Sequence, residues 1–340
     1  MRTNVPLAPL TTLGVGGAAK RFATFENVRE LTALLETDEP ILVLGGGSNL
    51  VIGDAGFAGL VIQPANKAVT RIGLFDDFAV VSAFAGVVWD DFVAQMVGEG
   101  LAGLECLSGI PGLVGATPMQ NVGAYGQEVA DTIVFVRAWD RERHEIVKLE
   151  AAECGFAYRT SIFKGSDRWV IFEVRFRLPR RTEAMPIKYA ELAKALAIAE
   201  GGTAPLARVR DTVIALRRGK GMVVDPADPE SRSAGSFFTN PIVDAAEASE
   251  LERRAGARPP QWVQPDGRIK LAAAWLIERA GFAKGYTRGN VGISHKHALA
   301  LVNRGGATAT ELLALAGEII DGVHAQLGVT LAPEPIVVAK

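Results

Sequence analysis

Residues 109–126 read Gly-Ile-Pro-Gly-Leu-Val-Gly-Ala-Thr-Pro-Met-Gln-Asn-Val-Gly-Ala-Tyr-Gly, with five glycines and two prolines in eighteen positions. No regular helix accommodates that density of backbone breakers. Glycines at such spacing serve a chain that turns sharply and lets another group approach its backbone. A second knot, Gly45-Gly46-Gly47-Ser48-Asn49, follows the apolar run Ile41–Leu44. Taken alone it reads equally as a tight β-turn. Neither cluster is a Walker P-loop, because GxxxxGK[ST] is absent, and neither gives the Rossmann GxGxxG between strand and helix. Bare N–H groups in such loops converge on phosphates as a nest. Two of them in the first third of the chain point to one extended anionic ligand such as a dinucleotide.

The ligand's charge must be met locally. With a formal net charge of -2 the chain has no overall field for nucleic acid or an anionic membrane surface. At 340 residues, 49% of them hydrophobic, it can build about two domains or three small ones. Cys106 and Cys154 are the only cysteines and form no CxxC, which suits a reducing cytosol better than a disulfide scaffold. His295-x-His297 alone is no metal site, and no metal is expected. The N-terminus lacks an apolar signal core and no apolar run nears the ~20 residues of a membrane span. A cytoplasmic protein is expected.

Asn27 is placed to cap a helix whose Val28, Leu31, Leu34 and Leu35 share a face. A strand at 79–81 and a helix at 89–98 precede the long glycine loop. Strand signals then crowd at 132–138, 145–149 and 172–178, the last alternating with period two. Tyr189–Glu200 reads as a short helix. From about Ser236 the composition turns helical, at 244–255, 271–280 and 310–327. The last of these carries a capping box, Thr308 with Glu311. Strands in succession with few intervening helices read as α+β, not as a doubly wound parallel sheet.

Three further segments carry chemistry. Cys154–Lys164, Cys-Gly-Phe-Ala-Tyr-Arg-Thr-Ser-Ile-Phe-Lys, places Tyr158 and the permanent cation Arg159 in one turn, where a guanidinium can grip a carboxylate with two donors. A solvated exposed turn explains it equally well. Ser233–Pro241 surrounds Ser236 with small residues; without a GxSxG elbow it is no acyl-enzyme nucleophile, and it donates a proton only beside a polarising neighbour. Glu334 stands between Pro333 and Pro335 in an apolar tail. If the tail docks, it carries Glu334 inward, where the carboxyl needs a partner.

In order and spacing these motifs resemble the UDP-N-acetylenolpyruvoylglucosamine reductase family, flavoenzymes of bacterial cell-wall synthesis. The resemblance runs from Thr12-Leu13-Gly14-Val15 to Pro333-Glu334-Pro335. It rests on GGGSN at 45–49, GIPG…QNVGAYG at 109–126, CGFAYR-S-FK at 154–164 and GSFF-NP at 235–241. Pro186-Ile187-Lys188-Tyr189 matches the family form with a tyrosine-bearing inserted loop.

The resemblance implies an α+β fold of the vanillyl-alcohol-oxidase and p-cresol-methylhydroxylase type. In it, two small α+β units sandwich non-covalent FAD beside a third, α+β substrate-binding domain. Residues 1–65 with the tail 326–340 would form the first unit, 66–205 the second and 206–325 the third. FAD would rest on Gly45, Gly46, Gly47, Ser48, Asn49, Gly109, Ile110, Pro111, Gly112, Gly115, Ala116, Asn121, Gly123, Ala124 and Tyr125.

It further implies that NADPH reduces the flavin and leaves. UDP-N-acetylenolpyruvoylglucosamine then accepts a hydride at its vinyl carbon. Arg159 and Glu334 would orient the carboxylate and stabilise the enolic charge, and Ser236 would give the proton that completes UDP-N-acetylmuramate. Tyr158, Tyr189, Lys220, Asn240, Trp262, Lys270, Lys284 and His297 would meet the rest of the substrate, Tyr189 by closing over it.

Thr11, Thr160, Thr239, Trp262 and His297 depart from the family's usual residues. Thr239 stands for Lys and Trp262 for Tyr, so the diphosphate and uridine contacts would differ there. A monomer is expected. The alternatives are an FAD-dependent oxidase or dehydrogenase of the same superfamily acting on an alcohol or sugar, or a nucleotide-binding protein without catalysis. Against the first, no histidine stands near either glycine loop to tether a flavin, and Cys106 is the one nearby thiol. Against the second, binding alone needs none of Arg159, Ser236 and Glu334.

Overall fold

The alternating run at 172–178 lies within the strand Trp169–Pro179, the centre of a five-stranded antiparallel sheet. Its order is Glu145–Glu150, Ile133–Asp140, Trp169–Pro179, Phe78–Phe84, Val69–Leu74. Register pairs Val136 with Val174 and Phe176 with Val81. On the covered face Val174, Phe176 and Leu178 are buried against the helix Trp89–Gly98. The Phe92 and Phe176 ring centroids lie 5.0 Å apart. Burying one such side chain contributes about 1.5–3 kcal/mol, so this helix holds its place by packing.

The computed structural model describes residues 1–338; Ala339 and Lys340, the end of the expected tail, lie outside the described residues. The chain folds into two compact units. The first takes Met1–Val5, Ala19–Gly47 and Ala58–Arg218, and the second Pro6–Ala18, Ser48–Phe57 and Gly219–Lys340. The three-part division stays a proposal beside these two units.

Besides the five-stranded sheet, the first unit holds a four-stranded one ordered Arg2–Pro6, Ala18–Phe25, Phe57–Pro64, Ile41–Val43. The helix Val28–Leu35 begins where Asn27 accepts the Glu30 N–H at 3.0 Å, the cap expected from sequence. The segment 189–200 differs from expectation. Only Ala190–Ala195 is helical, and Ala197 turns left-handed at φ 54°. The chain is pulled back by Gly201 and Gly202, which exchange backbone hydrogen bonds with Ile187 at 2.7 and 2.9 Å.

In the second unit the expected helices form at Ala245–Ala255, Ala273–Arg279 and Ala309–Leu327. Thr308 caps the last, accepting the Glu311 N–H at 3.1 Å. Asp54 adds bonds from the Ala309 and Thr310 N–H groups at 2.7 and 3.0 Å, placing an anion at the positive helix end. Two three-stranded sheets, missed from sequence, interleave with these helices: Ile242–Val243, Ile269–Leu271 and Gln261–Val263, then Thr287–Arg288, Val291–Ile293 and Leu301–Asn303. The apolar tail docks. Ile336–Val338 pairs in parallel with Leu50–Ile52. Among the described residues no helix is long and apolar enough to cross a membrane, and no cluster of three or more His, Cys, Asp or Glu is arranged to hold a metal.

Candidate active site

In the first unit the two glycine loops touch through their backbones. A Cβ on Gly46 would stand 2.6 Å from the Gly112 Cα, one on Gly45 3.3 Å from the Ala116 Cβ, and one on Gly115 2.4 Å from the Ala85 Cβ. Gly109 and Gly112 have φ of 70° and 125°, where only glycine is unstrained. Gln63 holds the first loop by donating to the Gly45 carbonyl at 2.8 Å. Gly47 and Gly109 are buried, and Ile110 and Pro111 are partly covered. Such a cradle of side-chain-free amides fits the diphosphate of a dinucleotide.

The far end of the long loop is tied to Arg159. Its Nη2 donates to the Gly123 carbonyl at 2.7 Å, and a Cβ on Gly123 would lie 3.1 Å from Nη1. Ser161 donates to the Met119 carbonyl at 2.7 Å, and Asn121 donates to the Ala157 carbonyl at 3.3 Å and to Glu128 at 2.7 Å. Arg159 itself has φ 53°, a left-handed conformation that a non-glycine residue holds only when its surroundings enforce it. Lys164 helps by donating to the Arg159 carbonyl at 2.9 Å. The guanidinium stands 5.3 Å from the Tyr158 ring centroid.

Tyr125, beside Ala124 and also left-handed at φ 49°, meets Tyr189 edge to face at 5.4 Å. Burial pushes the Tyr125 hydroxyl up to about 12 and raises that of Tyr189. Burial also lowers Arg217 to about 10, against the opposing pull of Tyr125 and Asp90. At neutral pH these are two phenols and a cation. Cys106 is buried and its thiol pushed up by burial, which makes it a poor nucleophile.

In the second unit backbone bonds draw the remaining candidates together. Phe237, next to half-buried Ser236, accepts the Glu334 N–H at 2.9 Å and donates to the Leu299 carbonyl at 2.7 Å. Thr239 N–H donates to Ala332 at 3.0 Å, and Phe238 bridges Pro333. Asn49 takes the Ile336 N–H on its carbonyl at 3.0 Å, and its amide donates to the Glu334 carbonyl at 3.4 Å. Asn49, Ser236 and Glu334 therefore share one frame, with Ser48 at its edge.

Asn240 has a structural duty: its side-chain oxygen accepts the Ala273 N–H at 3.0 Å, where the helix Ala273–Arg279 begins. Trp262 and Lys270 are cross-strand partners, the ammonium 5.7 Å from the indole centroid. His297 Nδ1 accepts the Leu299 N–H at 3.0 Å, so a neutral ring carries its proton on Nε2. Lys284 is exposed and Lys220 half-buried.

Sequence reasoning missed Asp90, Arg210 and Asn303. Asn303 donates to the Leu13 and Gly14 carbonyls at 2.9 and 3.3 Å. Asp90 binds Arg210 at 2.6 and 2.9 Å and accepts the Gly109 N–H at 2.6 Å. Burial raises its carboxyl, but the Arg210 and Gly109 bonds prevail and hold it below the ordinary carboxylate range. The available signal was an acid opening a helix just ahead of the glycine loop.

Comparison with known proteins agrees along the whole length. Residues 226–338 match the C-terminal domain of UDP-N-acetylenolpyruvoylglucosamine reductase, and residues 19–150 match an FAD binding domain. The chain is 54% identical to the UDP-N-acetylenolpyruvoylglucosamine reductase of Thermobifida fusca, covering 98% of this chain and 97% of that one. It is 51% identical to the same-named protein of Salinispora arenicola, covering 98% and 94%. The crystal structure of UDP-N-acetylenolpyruvylglucosamine reductase from Thermus caldophilus superposes with a TM-score of 0.68 at 28% identity, covering 98% and 97%.

Proposed function

The chain belongs to the UDP-N-acetylenolpyruvoylglucosamine reductase family, and we propose from this that it reduces UDP-N-acetylenolpyruvoylglucosamine to UDP-N-acetylmuramate in the cytoplasm, as a step of peptidoglycan precursor synthesis. The non-covalent FAD, reduced by NADPH, supplies hydride to the enolpyruvyl double bond when bound. Gly45–Asn49 and the loop 109–126 would hold it, since their glycines present amides without side chains.

Arg159 grips the substrate carboxylate. Its Nη2 bond to the Gly123 carbonyl fixes the plane of the guanidinium before substrate arrives, so little rotamer freedom is lost on binding. As hydride adds at the vinyl carbon, negative charge spreads toward the carboxylate, and a cation already in place stabilises that charge without reorganising. Glu334 acts on the same charge as a protonated or cation-paired group. Ser236 gives its hydroxyl proton to the carbon beside the carboxylate. Tyr158, Tyr189, Lys220, Trp262, Lys270, Lys284 and His297 contact the remainder of the substrate, and Asn240 shapes that region through its bond to Ala273.

The observation that carries this reading is the Glu334–Phe237 backbone bond, which draws the acidic tail to the serine loop over a long stretch of sequence. Anaerobic visible spectroscopy tests it. The purified protein should show flavin bands that NADPH bleaches and that UDP-N-acetylenolpyruvoylglucosamine restores. Flavin that bleaches but ignores the sugar nucleotide would favour the oxidase or dehydrogenase alternative. Protein that takes up no FAD on reconstitution would favour the non-catalytic one.

A further inference from the structure

Asp90 opens the helix Trp89–Gly98, and an acid there is explained by the helix dipole alone. Its side chain, however, does not serve its own helix. Oδ1 accepts the Gly109 N–H at 2.6 Å and an Arg210 bond at 2.6 Å, while Oδ2 accepts a second Arg210 bond at 2.9 Å. Arg210 comes from the helix Leu206–Gly219, beside the buried positions Leu206, Val209, Val213 and Arg217. Side-chain exposure is 15% for Arg210 and 33% for Asp90. The pair is partly covered and forked, unlike a fully exposed surface ion pair.

The neighbouring bonds show what this pair holds. The Trp89 indole donates to the Leu107 carbonyl at 3.0 Å, and the Trp89 N–H donates to the Gly112 carbonyl at 3.0 Å. The Val114 N–H donates to the Val87 carbonyl at 2.9 Å. Residues 87–90 thus grip 107–114 on both sides, and Asp90 is the charged contact among them. It acts on Gly109, whose left-handed φ of 70° sets the direction of the loop.

We propose that Asp90 and Arg210 are positioning residues for the cofactor: the Asp90–Arg210 fork fixes the Gly109 amide and so presets the glycine loop in the shape that receives FAD. The proposal rests on the reading of 109–126 as the cofactor loop. A loop preset in the apoprotein spares the ligand the cost of ordering it, so releasing it weakens binding without removing any ligand contact.

The test uses the full-length apoprotein and FAD itself. FAD is titrated by flavin fluorescence, and hydrogen exchange of the 107–114 peptide is followed with no FAD present. Asp90→Asn and Arg210→Met should each weaken FAD binding by about 10- to 100-fold, as expected for losing a charge-assisted bond and leaving a partly covered partner without it. Each should also speed exchange across 107–114 in the apoprotein. The double variant should be no weaker than either single one, because both break the same interaction. Arg210→Lys, which keeps the cation but loses the fork, should weaken FAD binding less than Arg210→Met. FAD affinity at the wild-type level, or a lower melting temperature with unchanged exchange at 107–114, overturns the proposal. Wild-type protein that fails to take up FAD overturns the loop reading and the proposal with it, whereas wild-type uptake with unaffected variants overturns the proposal alone.

Discussion

The backbone N–H of Glu334 donates to the carbonyl of Phe237 at 2.9 Å. The acidic tail and the serine loop are joined by main chain, and the strand Ile336–Val338 is locked beyond them onto Leu50–Ile52. The positions of Ser236 and Glu334 therefore depend on backbone bonds that side-chain substitutions leave intact. Chemistry and folding can be separated by mutation at both residues.

Glu334→Gln should melt well above a truncation of the tail, since the Phe237 and Asn49 bonds use its backbone. Substrate-dependent reoxidation of the flavin should slow by about 100-fold or more, the usual scale for losing one group that stabilises developing charge. Truncation after Ala332 should melt lower, because it removes the parallel pairing as well. Thermal melts beside stopped-flow traces check this. A Gln variant that melts as low as the truncation would assign Glu334 to folding.

Gly115→Ala should be severe. Its Cβ would stand 2.4 Å from the Ala85 Cβ and 2.9 Å from the Ala85 Cα, so backbone must move. We expect a lower melting temperature and FAD content well below stoichiometric, read from the visible spectrum. Gly98→Ala, with nothing within 4 Å of the added methyl, should keep its flavin and melt no lower.

Local rules made much of the fold legible, and they stopped where contacts became long-range. The Asn27 and Thr308 caps are chemistry within one turn and stand where the sequence put them. The strands Ile242–Val243 and Val291–Ile293 are too short for periodicity to register, so a mixed region read as helical. Tyr189–Glu200 looked helical because its residues favour a helix, yet tertiary bonds from Ile187 to Gly201 and Gly202 end it early. In the site, the glycine loops announced themselves by composition. The sequence marked Arg159, Ser236 and Glu334 as candidates, but the roles proposed for them together come through the family resemblance. Asp90 could not be paired with Arg210, since nothing local links two residues so far apart in sequence.

Arg159→Lys keeps the charge and loses the planar fork that Gly123 orients. Either residue bears the same backbone cost at φ 53°, so any change in melting temperature should come from the altered Gly123 bond. Bleaching by NADPH should stay near the wild-type rate. Reoxidation by the sugar nucleotide should slow by about 10- to 100-fold, with a raised KM, for a charged hydrogen bond made badly. Equal slowing of both steps would contradict the assignment.

Asp140 predicts the response of stability to acid. The Arg168 fork, at 3.0 and 2.5 Å, lowers its carboxyl from 3.8 to about 2; burial opposes this, and the Glu142 and Arg143 N–H groups assist it. A carboxyl depressed in the folded state stabilises above its unfolded pKa and loses that contribution as pH falls through the folded one. Asp140→Asn should therefore melt below the wild type at neutral pH. The gap should narrow as pH falls from 3.8 toward about 2. Melting temperatures across that range check it, and a gap independent of pH would show that the ion pair is not its source.

The most direct test is to time the two half-reactions of Ser236→Ala separately by anaerobic stopped flow. NADPH should bleach the flavin at close to the wild-type rate. Reoxidation by UDP-N-acetylenolpyruvoylglucosamine should slow by about 10²- to 10⁴-fold, the usual worth of a general acid. Equal slowing of both halves, or an unimpaired second half, would contradict Ser236 as the proton donor.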